Sequence, residues 1–320
     1  MTHRVLVTDK VELSGLYPLV DDDSFEIVEI ADSSTSEFAE ALPIADALVV
    51  RSATTVTAEM LGAASNLKAV GRAGVGVDNV DISAASDRGI AVFNAPGGNT
   101  IAAAELTMAL LIAVARKIPA AEASVRSGQW ERAAFKGVEL RGKTLGLIGA
   151  GRIGGEVAIR CQSFGMSVIV YDPYLTEQRA EELNIELVRL EDVLDQADFI
   201  SIHVPLTDET RDIVGREALE RMKTTAFVVN ASRGGVVDEP ALAAALHAGE
   251  IAGAALDVYD TEPLPIDSPL RDAPNLVLTP HLGASTAEAQ VGVATEVAEK
   301  IKTLLLTGDG SAAINAGALG

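Results

Sequence analysis

Residues 144–154 read TLGLIGAGRIG, an apolar run from Thr144 to Ile148 followed by glycines at 149, 151 and 154 and then by a helical pattern. This is GxGxxG spacing between a strand and a helix. Gly149 permits the tight turn, Gly151 allows close approach of backbone to a pyrophosphate, and Gly154 lets the helix pack on the strand. The helix start at Arg152 and Ile153 offers free N–H groups and a positive dipole end to phosphates. Asp172 lies 18 residues beyond Gly154, at the end of the next apolar run, Val168 to Tyr171. An acidic side chain there accepts hydrogen bonds from a ribose diol and repels a 2′-phosphate, which favours NAD over NADP.

Outward from this turn, short β-branched runs alternate with helical patterns over nearly the whole chain. Strands are predicted at 4–8, 25–30, 47–51, 69–71, 91–94, 144–149, 167–171, 199–203, 227–230, 253–257 and 276–278. Helices are predicted at 36–42, 102–126, 153–164, 190–194, 239–248 and 285–306. Such alternation indicates βαβ units, parallel sheets and an α/β fold, with a Rossmann-type doubly wound sheet around the glycine turn. Two turn-rich clusters interrupt it, Asn94–Asn99 and Thr279–Ala284, each just before a long helix. They divide the chain into a nucleotide-binding domain, 99–284, inserted into a discontinuous domain formed by 1–98 and 285–320. A cleft between two domains is a common place for a small-molecule site. The stretch Thr307–Gly320, rich in glycine and alanine, reads as a linker or a cut end.

The length of 320 residues also suits two domains. Lys and Arg number 25 against 46 Asp and Glu, a net charge of −21. That charge repels phosphate backbones and anionic headgroups, so nucleic acid and membrane surfaces are not expected partners. Aromatic residues are 4% of the chain, so the core must be mainly aliphatic. The single cysteine, Cys161, excludes an intramolecular disulfide and a cysteine-based metal cluster, and its apolar helical setting reads as packing. The N-terminus, MTHRVLVTDK, runs into a strand without a signal-peptide layout. The most apolar stretch, Ile101–Ala115, contains Glu105 and is too short for a bilayer. A soluble, cytoplasmic chain without a metal is expected.

Three charged residues stand at the ends of late strands: Arg233 in NASRGG, Glu262 in LDVYDTEP and His281 in TPHLG. The carboxyl ends of parallel strands line one crevice, where these groups can converge. Their chemistry is complementary. An arginine holds a carboxylate, a histidine moves a proton, and a glutamate beside that histidine favours its charged form. Of the other histidines, His3 reads as structural, His203 as bordering the cofactor and His247 as solvated.

The segments GRAGVGVDNVD (71–81), GAGRIGGEVA (149–158), YDP (171–173), NASRGGVVDE (230–239), LDVYDTEP (256–263) and TPHLGAST (279–286) resemble, in order and spacing, the D-isomer-specific 2-hydroxyacid dehydrogenases. The resemblance covers nearly the whole chain. It implies a Rossmann NAD domain inserted into a flavodoxin-like α/β substrate domain, and a homodimer, or a higher oligomer, formed through the nucleotide domains. It makes His281 the acid/base, Glu262 its partner and Arg233 the residue that orients substrate. Val75, Val204, Ala231, Ser232, Asp257, Gly283 and Ala284 match further cofactor positions, as do Arg233 and His281; Asp257 falls near the nicotinamide carboxamide. Where the family carries Thr at the position of Val75, a side-chain hydrogen bond is lost here.

Within the family the likeness is nearest to members that oxidise D-3-phosphoglycerate on the route to serine. A phosphorylated 2-hydroxy acid needs two anion sites. Arg51 and Arg72 supply charge, the loop at Gly74 supplies backbone N–H groups, and Asn99 matches a further substrate position. Arg132, in the segment Trp130-Glu131-Arg132, matches an arginine that enters a neighbouring subunit's site. These arginines would concentrate positive charge at one place in an acidic protein. Sister enzymes acting on glycerate, glyoxylate or D-lactate share the His/Glu/Arg set, and a non-enzymatic NAD-sensing corepressor uses the same scaffold. Related enzymes carry C-terminal domains that bind serine. This chain stops near where those begin, so serine inhibition is not expected.

Overall fold

All strand pairings in the computed structural model, which describes residues 2–318, are parallel. The chain forms two compact units, Met1–Thr100 with Ala284–Gly320, and Ile101–Gly283. In the first, β1 (His3–Val7), α1 (Tyr17–Val20), β2 (Phe25–Glu29), α2 (Ser36–Ala41), β3 (Ala47–Val50), α3 (Ala58–Ala63), β4 (Ala69–Arg72), α4 (Ile82–Ser86) and β5 (Ala91–Asn94) follow in sequence. The sheet order β2-β1-β3-β4-β5 is the flavodoxin-like arrangement. Val5 and Val7 point into one core while Leu6 points into the other, so strict alternation fills both faces.

The second unit carries α5 (Thr100–Ala115), α6 (Ile118–Arg126), β6 (Thr144–Ile148), α7 (Arg152–Ser163), β7 (Ser167–Tyr171), α8 (Glu177–Glu182), β8 (Glu186–Leu187), α9 (Leu190–Gln196) and β9 (Phe199–Ile202). It continues with α10 (Arg216–Arg221), β10 (Phe227–Asn230), α11 (Glu239–Ala248), β11 (Gly253–Leu256) and β12 (Leu276–Leu278). Its seven strands run β12-β11-β10-β9-β6-β7-β8, a doubly wound sheet whose order reverses between β6 and β9. The central strands are wholly buried and mainly apolar, with Ser201 and Asn230 as buried polar residues and one aromatic stack, Phe199 on Phe227 at 4.9 Å. The expected α/β class with a Rossmann-type sheet is what the chain adopts. Cys161 is buried beside Met108, and desolvation pushes its thiol up to about 12. It is a packing residue.

Helix α12 (Ala287–Thr307) returns to the first unit, capped by the Thr286 hydroxyl accepting from the Ala289 N–H. Val293, Ala294, Val297, Ala298 and Ile301 bury its inner face against Val5, Val7 and Phe93. Glu296 accepts from the Gly97 N–H at 3.0 Å, and Lys300 donates to the Asn94 carbonyl at 2.8 Å. The turn-rich segment after β5 is thereby fastened to the helix.

Two expectations are corrected. The helix read at 102–126 is two helices, broken at Lys117, which stands at φ 54°. Pro119 has no N–H and would collide with the Ala115 carbonyl, a cost of about 3 kcal/mol inside a helix. That carbonyl accepts from the Val138 N–H instead, at 3.0 Å. The second correction concerns 307–320, of which Leu319 and Gly320 lie outside the described residues. It does not behave as a linker. Ala313 and Asn315 are buried, and the Ile314 N–H donates to the Val92 carbonyl at 2.8 Å. Asn315 accepts from the Val92 N–H at 2.9 Å and donates to the Ile90 carbonyl at 2.9 Å and the Ser86 hydroxyl at 3.0 Å. Asn315→Ala strands buried backbone groups of β5 and should lower the stability of this unit by roughly 3 kcal/mol. Urea unfolding measures it, and an unchanged midpoint would show that the segment contributes nothing.

Candidate active site

The turn after β6 sits where the sheet order reverses. Gly149 adopts φ +92°, and a Cβ there would stand 2.8 Å from the His203 carbonyl, which caps the neighbouring strand. A Cβ on Gly154 would run into the Gly149 carbonyl, whereas one on Gly151 meets nothing within 4 Å. The backbone therefore closes tightly beneath the turn and stays open above it, as a pyrophosphate requires. Asp172 reaches back to this turn: its Oδ2 accepts from the Ala150 N–H and its Oδ1 from the Tyr174 N–H, both at 2.9 Å. The carboxylate is thus held at the end of β7, beside the turn. Arg152 is exposed and Ile153 half-buried at the start of α7, and Val204 flanks Gly149. These residues fit a dinucleotide. Burial pushes the His203 imidazole down to about 4, so the ring is neutral near pH 7, with Nε2 at 2.8 Å from the Ser201 hydroxyl.

On the same edge of the sheet, two loops carry the proton-transfer residues. The loop after β11 brings Glu262 to His281, with Nδ1 at 2.7 Å from Oε2. The other oxygen of Glu262 accepts from the Tyr259 N–H at 3.1 Å, fixing the carboxylate at both ends. His281 stands at φ 54°, in the left-handed region that a non-glycine residue enters only when its surroundings impose it. Its N–H donates to the carbonyls of Asp257 and Thr279. Both side chains are exposed on this unit.

Asp257 is wholly buried, and its two oxygens accept from the Thr279 hydroxyl at 2.6 Å, the Leu282 N–H at 2.8 Å and the Gly283 N–H at 3.0 Å. Burial raises its pKa above the ordinary carboxylate value, against the pull of these donors. The family resemblance places Asp257 near the nicotinamide carboxamide. In the structure it anchors the loop that presents His281, and Gly283 spends its own N–H in that anchor. Tyr259, which the sequence reading did not single out, donates from its hydroxyl to the Thr279 carbonyl at 2.8 Å and ties the same two loops.

Arg233 lies on the loop after β10, organised by the buried Asn230. The Asn230 Oδ1 accepts from the Ser232 N–H and hydroxyl at 3.0 and 2.8 Å, and its Nδ2 donates to the Arg233 carbonyl at 2.8 Å. The Arg233 guanidinium donates to the Ser232 carbonyl at 2.6 Å. Ala231 and Ser232 are half-buried here. A Cβ on Gly234 would overlap the Tyr259 carbonyl and stand 2.8 Å from the Asp260 nitrogen, so the Arg233 and Glu262 loops touch backbone to backbone. The residue pair Gly234-Gly235 is the only sequence signal of that approach. Arg132 is exposed, on a short 3₁₀ turn.

In the other unit, Arg51 closes β3. Its N–H donates to Asp9 at 2.9 Å and its carbonyl accepts from Asn79 at 2.7 Å. The Arg72 guanidinium lies over Gly74, where any Cβ would collide with it. The Gly74 N–H, expected to face an anion, is taken by the Arg72 carbonyl at 2.8 Å, and the Ala73 N–H by the Val50 carbonyl at 2.8 Å. The tight turn at this glycine turns its own donor back on the chain. Asn94 holds the Val75 carbonyl at 2.6 Å. Asn99 has a buried Oδ1 without a hydrogen-bond partner among the described residues. Ala284 begins the return of the chain to this unit.

Residues 108–283 match the family model of the D-isomer specific 2-hydroxyacid dehydrogenase, NAD binding domain. The D-3-phosphoglycerate dehydrogenase of Bacillus subtilis is 49% identical over 298 residues, which is 93% of this chain and 56% of the relative. That of Archaeoglobus fulgidus is 53% identical over 268 residues, 84% of this chain and 51% of the relative. The chain spans about half the length of the curated relatives it matches. Among solved structures, the TT0316 protein of Thermus thermophilus superposes with a TM-score of 0.85 at 38% identity, covering 94% of this chain and 96% of that one. A dinucleotide turn at a sheet reversal, a matching NAD-domain model and a full-length structural relative lead to one assignment: the chain belongs to the D-isomer-specific 2-hydroxyacid dehydrogenases and carries their NAD-binding domain.

Proposed function

We propose that the chain reversibly oxidises D-3-phosphoglycerate to 3-phosphohydroxypyruvate with NAD, the entry step of the phosphorylated route to L-serine. The observation that carries the reaction class is the contact of 2.7 Å between His281 Nδ1 and the Glu262 carboxylate, at the sheet edge that also holds the dinucleotide turn. A carboxylate on Nδ1 fixes the ring proton there and leaves Nε2 to exchange a proton with the C2 oxygen of substrate. NAD, when bound, supplies the nicotinamide that accepts hydride from C2. In oxidation His281 takes the hydroxyl proton, and in reduction it returns one. Arg233 orients the substrate carboxylate, and Asp172 favours NAD at the ribose.

Arg51, Arg72 and Asn99 are assigned to the substrate's anionic groups, and Arg132 to the site of a neighbouring subunit. The substrate itself is argued from the likeness to the two dehydrogenases that carry its name. A homodimer through the NAD-binding domains belongs to the proposal. Its support is the apolar exposure around α6, where Ile118 and Val125 face solvent and Trp130 is 79% exposed. No helix among the described residues is long and apolar enough to cross a membrane; the proposed setting is the cytoplasm.

The test is reduction of 3-phosphohydroxypyruvate with NADH and with NADPH, beside glyoxylate and hydroxypyruvate. We expect NADH to be preferred by at least about tenfold, the effect of a charge clash at one phosphate. The phosphorylated oxo acid should exceed the others in kcat/KM by about 100-fold, the value of a charge-assisted anion site. Equal efficiency with hydroxypyruvate would overturn the substrate assignment and leave a sister dehydrogenase.

A further inference from the structure

The first residue of α11 is Glu239. An acidic residue in the first turn of a helix ordinarily answers the helix dipole or caps free N–H groups. Here the cap is already supplied, because Asp238 Oδ1 accepts from the Ala241 N–H at 2.9 Å. Glu239 turns away from its own helix. Its Oε1 accepts from the Asp260 N–H at 2.7 Å, the short contact of a charge-assisted bond. Asp260 lies in the loop after β11, between Tyr259, whose N–H holds Glu262, and Glu262 itself. Glu239 also lies six residues after Arg233, on the segment whose Gly234 presses against the Tyr259 carbonyl.

We propose that Glu239 is a positioning residue for the Glu262–His281 pair, clamping the loop that bears Glu262 and placing a second negative charge behind the pair. This rests on the dehydrogenase reading of the same site. The clamp acts through backbone. Without it the Asp260 N–H loses this acceptor, and the part of the loop next to Glu262 is left to its contact at Gly234 and the bonds of Asp257, Tyr259 and Glu262. The charge acts through space. Burial raises the pKa of Glu239, with the negative charges of Asp260 and Glu262 adding to the effect and the Asp260 N–H opposing it. The groups facing this cluster are Asp238 at the start of α11, Arg211 and Asp212 before Val214, Asp257, Tyr259, Asp260 and Glu262 on the loop, and His281 beyond it. Negative groups outnumber positive ones, so removing one carboxylate makes the protonated pair less favourable.

Two variants separate the clamp from the charge, assayed as complete chains with NADH and the oxo acid that the wild type reduces best. Glu239→Ala removes both, and its kcat should fall about 10- to 100-fold while KM for the oxo acid changes little, since sub-ångström misplacement of an acid/base group costs that much. Glu239→Gln keeps an acceptor for the Asp260 N–H, so kcat should recover to within about threefold of wild type. Its kcat/KM profile should shift to lower pH by about half a unit, because the charge is gone. NADH fluorescence titration and a melting curve check that each variant is folded. A folded Glu239→Ala variant with wild-type kcat overturns the proposal. So does a Gln variant as impaired as the Ala variant with an unshifted profile, which would mark a merely structural role. A wild-type chain that binds NADH but reduces none of the oxo acids overturns the dehydrogenase reading, and this proposal falls with it.

Discussion

Replacing His281 by alanine should lower kcat about 1,000-fold while leaving NADH affinity within about twofold of wild type, the loss typical of a missing general acid/base. His281 is bonded to Glu262, Asp257 and Thr279, so its side chain can be removed with the glycine turn and Asp172 left in place. Its backbone complicates the alanine variant, because φ 54° is unfavourable for alanine as well as for histidine. His281→Asn is the better companion, since asparagine accepts the left-handed region and its amide does not exchange a proton as an acid or base near neutral pH. Both variants should lose turnover equally. Stopped-flow reduction under single-turnover conditions gives the chemical step directly. Retention of wild-type turnover by either variant removes His281 from the mechanism. If only alanine is impaired, the residue serves the loop's shape instead of the proton.

The other large effect is expected at Gly234. Its φ is not the constraint; space is. A methyl group there overlaps the Tyr259 carbonyl and presses on the Asp260 nitrogen at 2.8 Å, both of them backbone. A flexible side chain would move aside, but Tyr259 is held through its hydroxyl by the Thr279 and Leu256 carbonyls and through its N–H by Glu262. Gly234→Ala must therefore push the Arg233 loop away from the Glu262 loop. Overpacking of this kind costs about 1–3 kcal/mol in stability. The catalytic loss should be larger, about 100-fold in kcat/KM, because the shift is imposed on both loops of the site. Gly317→Ala serves as a control, since a Cβ at that glycine meets nothing within 4 Å and its φ lies outside the left-handed region. A Gly234→Ala enzyme with wild-type kcat/KM would show that the two loops need not touch.

These effects trace a boundary in what the residues alone disclose. The central strands are legible because they bury both faces and read as short apolar runs, as Phe227–Asn230 does, whereas the exposed two-residue strand Glu186–Leu187 carries no such signal. The dinucleotide turn is legible because its glycines answer a steric demand at fixed spacing. His281 and Glu262 are legible because their chemistry is rare and complementary. Glu239 is hidden for the opposite reason: at a helix start an acid is common, and only coordinates show that Asp238 already does the capping. The approach at Gly234 is hidden because one partner is a carbonyl, which every residue has. The break at Lys117 was masked by apolar residues continuing on both sides, although Pro119 signals it. The docking of Asn315 was masked by composition, since small residues read as loose until their hydrogen bonds are seen.

That docking has a consequence for solubility. β5 is an outer strand of its sheet, and an outer strand offers unpaired N–H and carbonyl groups to any other extended chain. Here the outward N–H and carbonyl of Val92 are both occupied, by Asn315 and Ile314. This segment thus acts as a guard against edge-to-edge association, a task that Ile314 and Asn315 perform without adding a strand of their own.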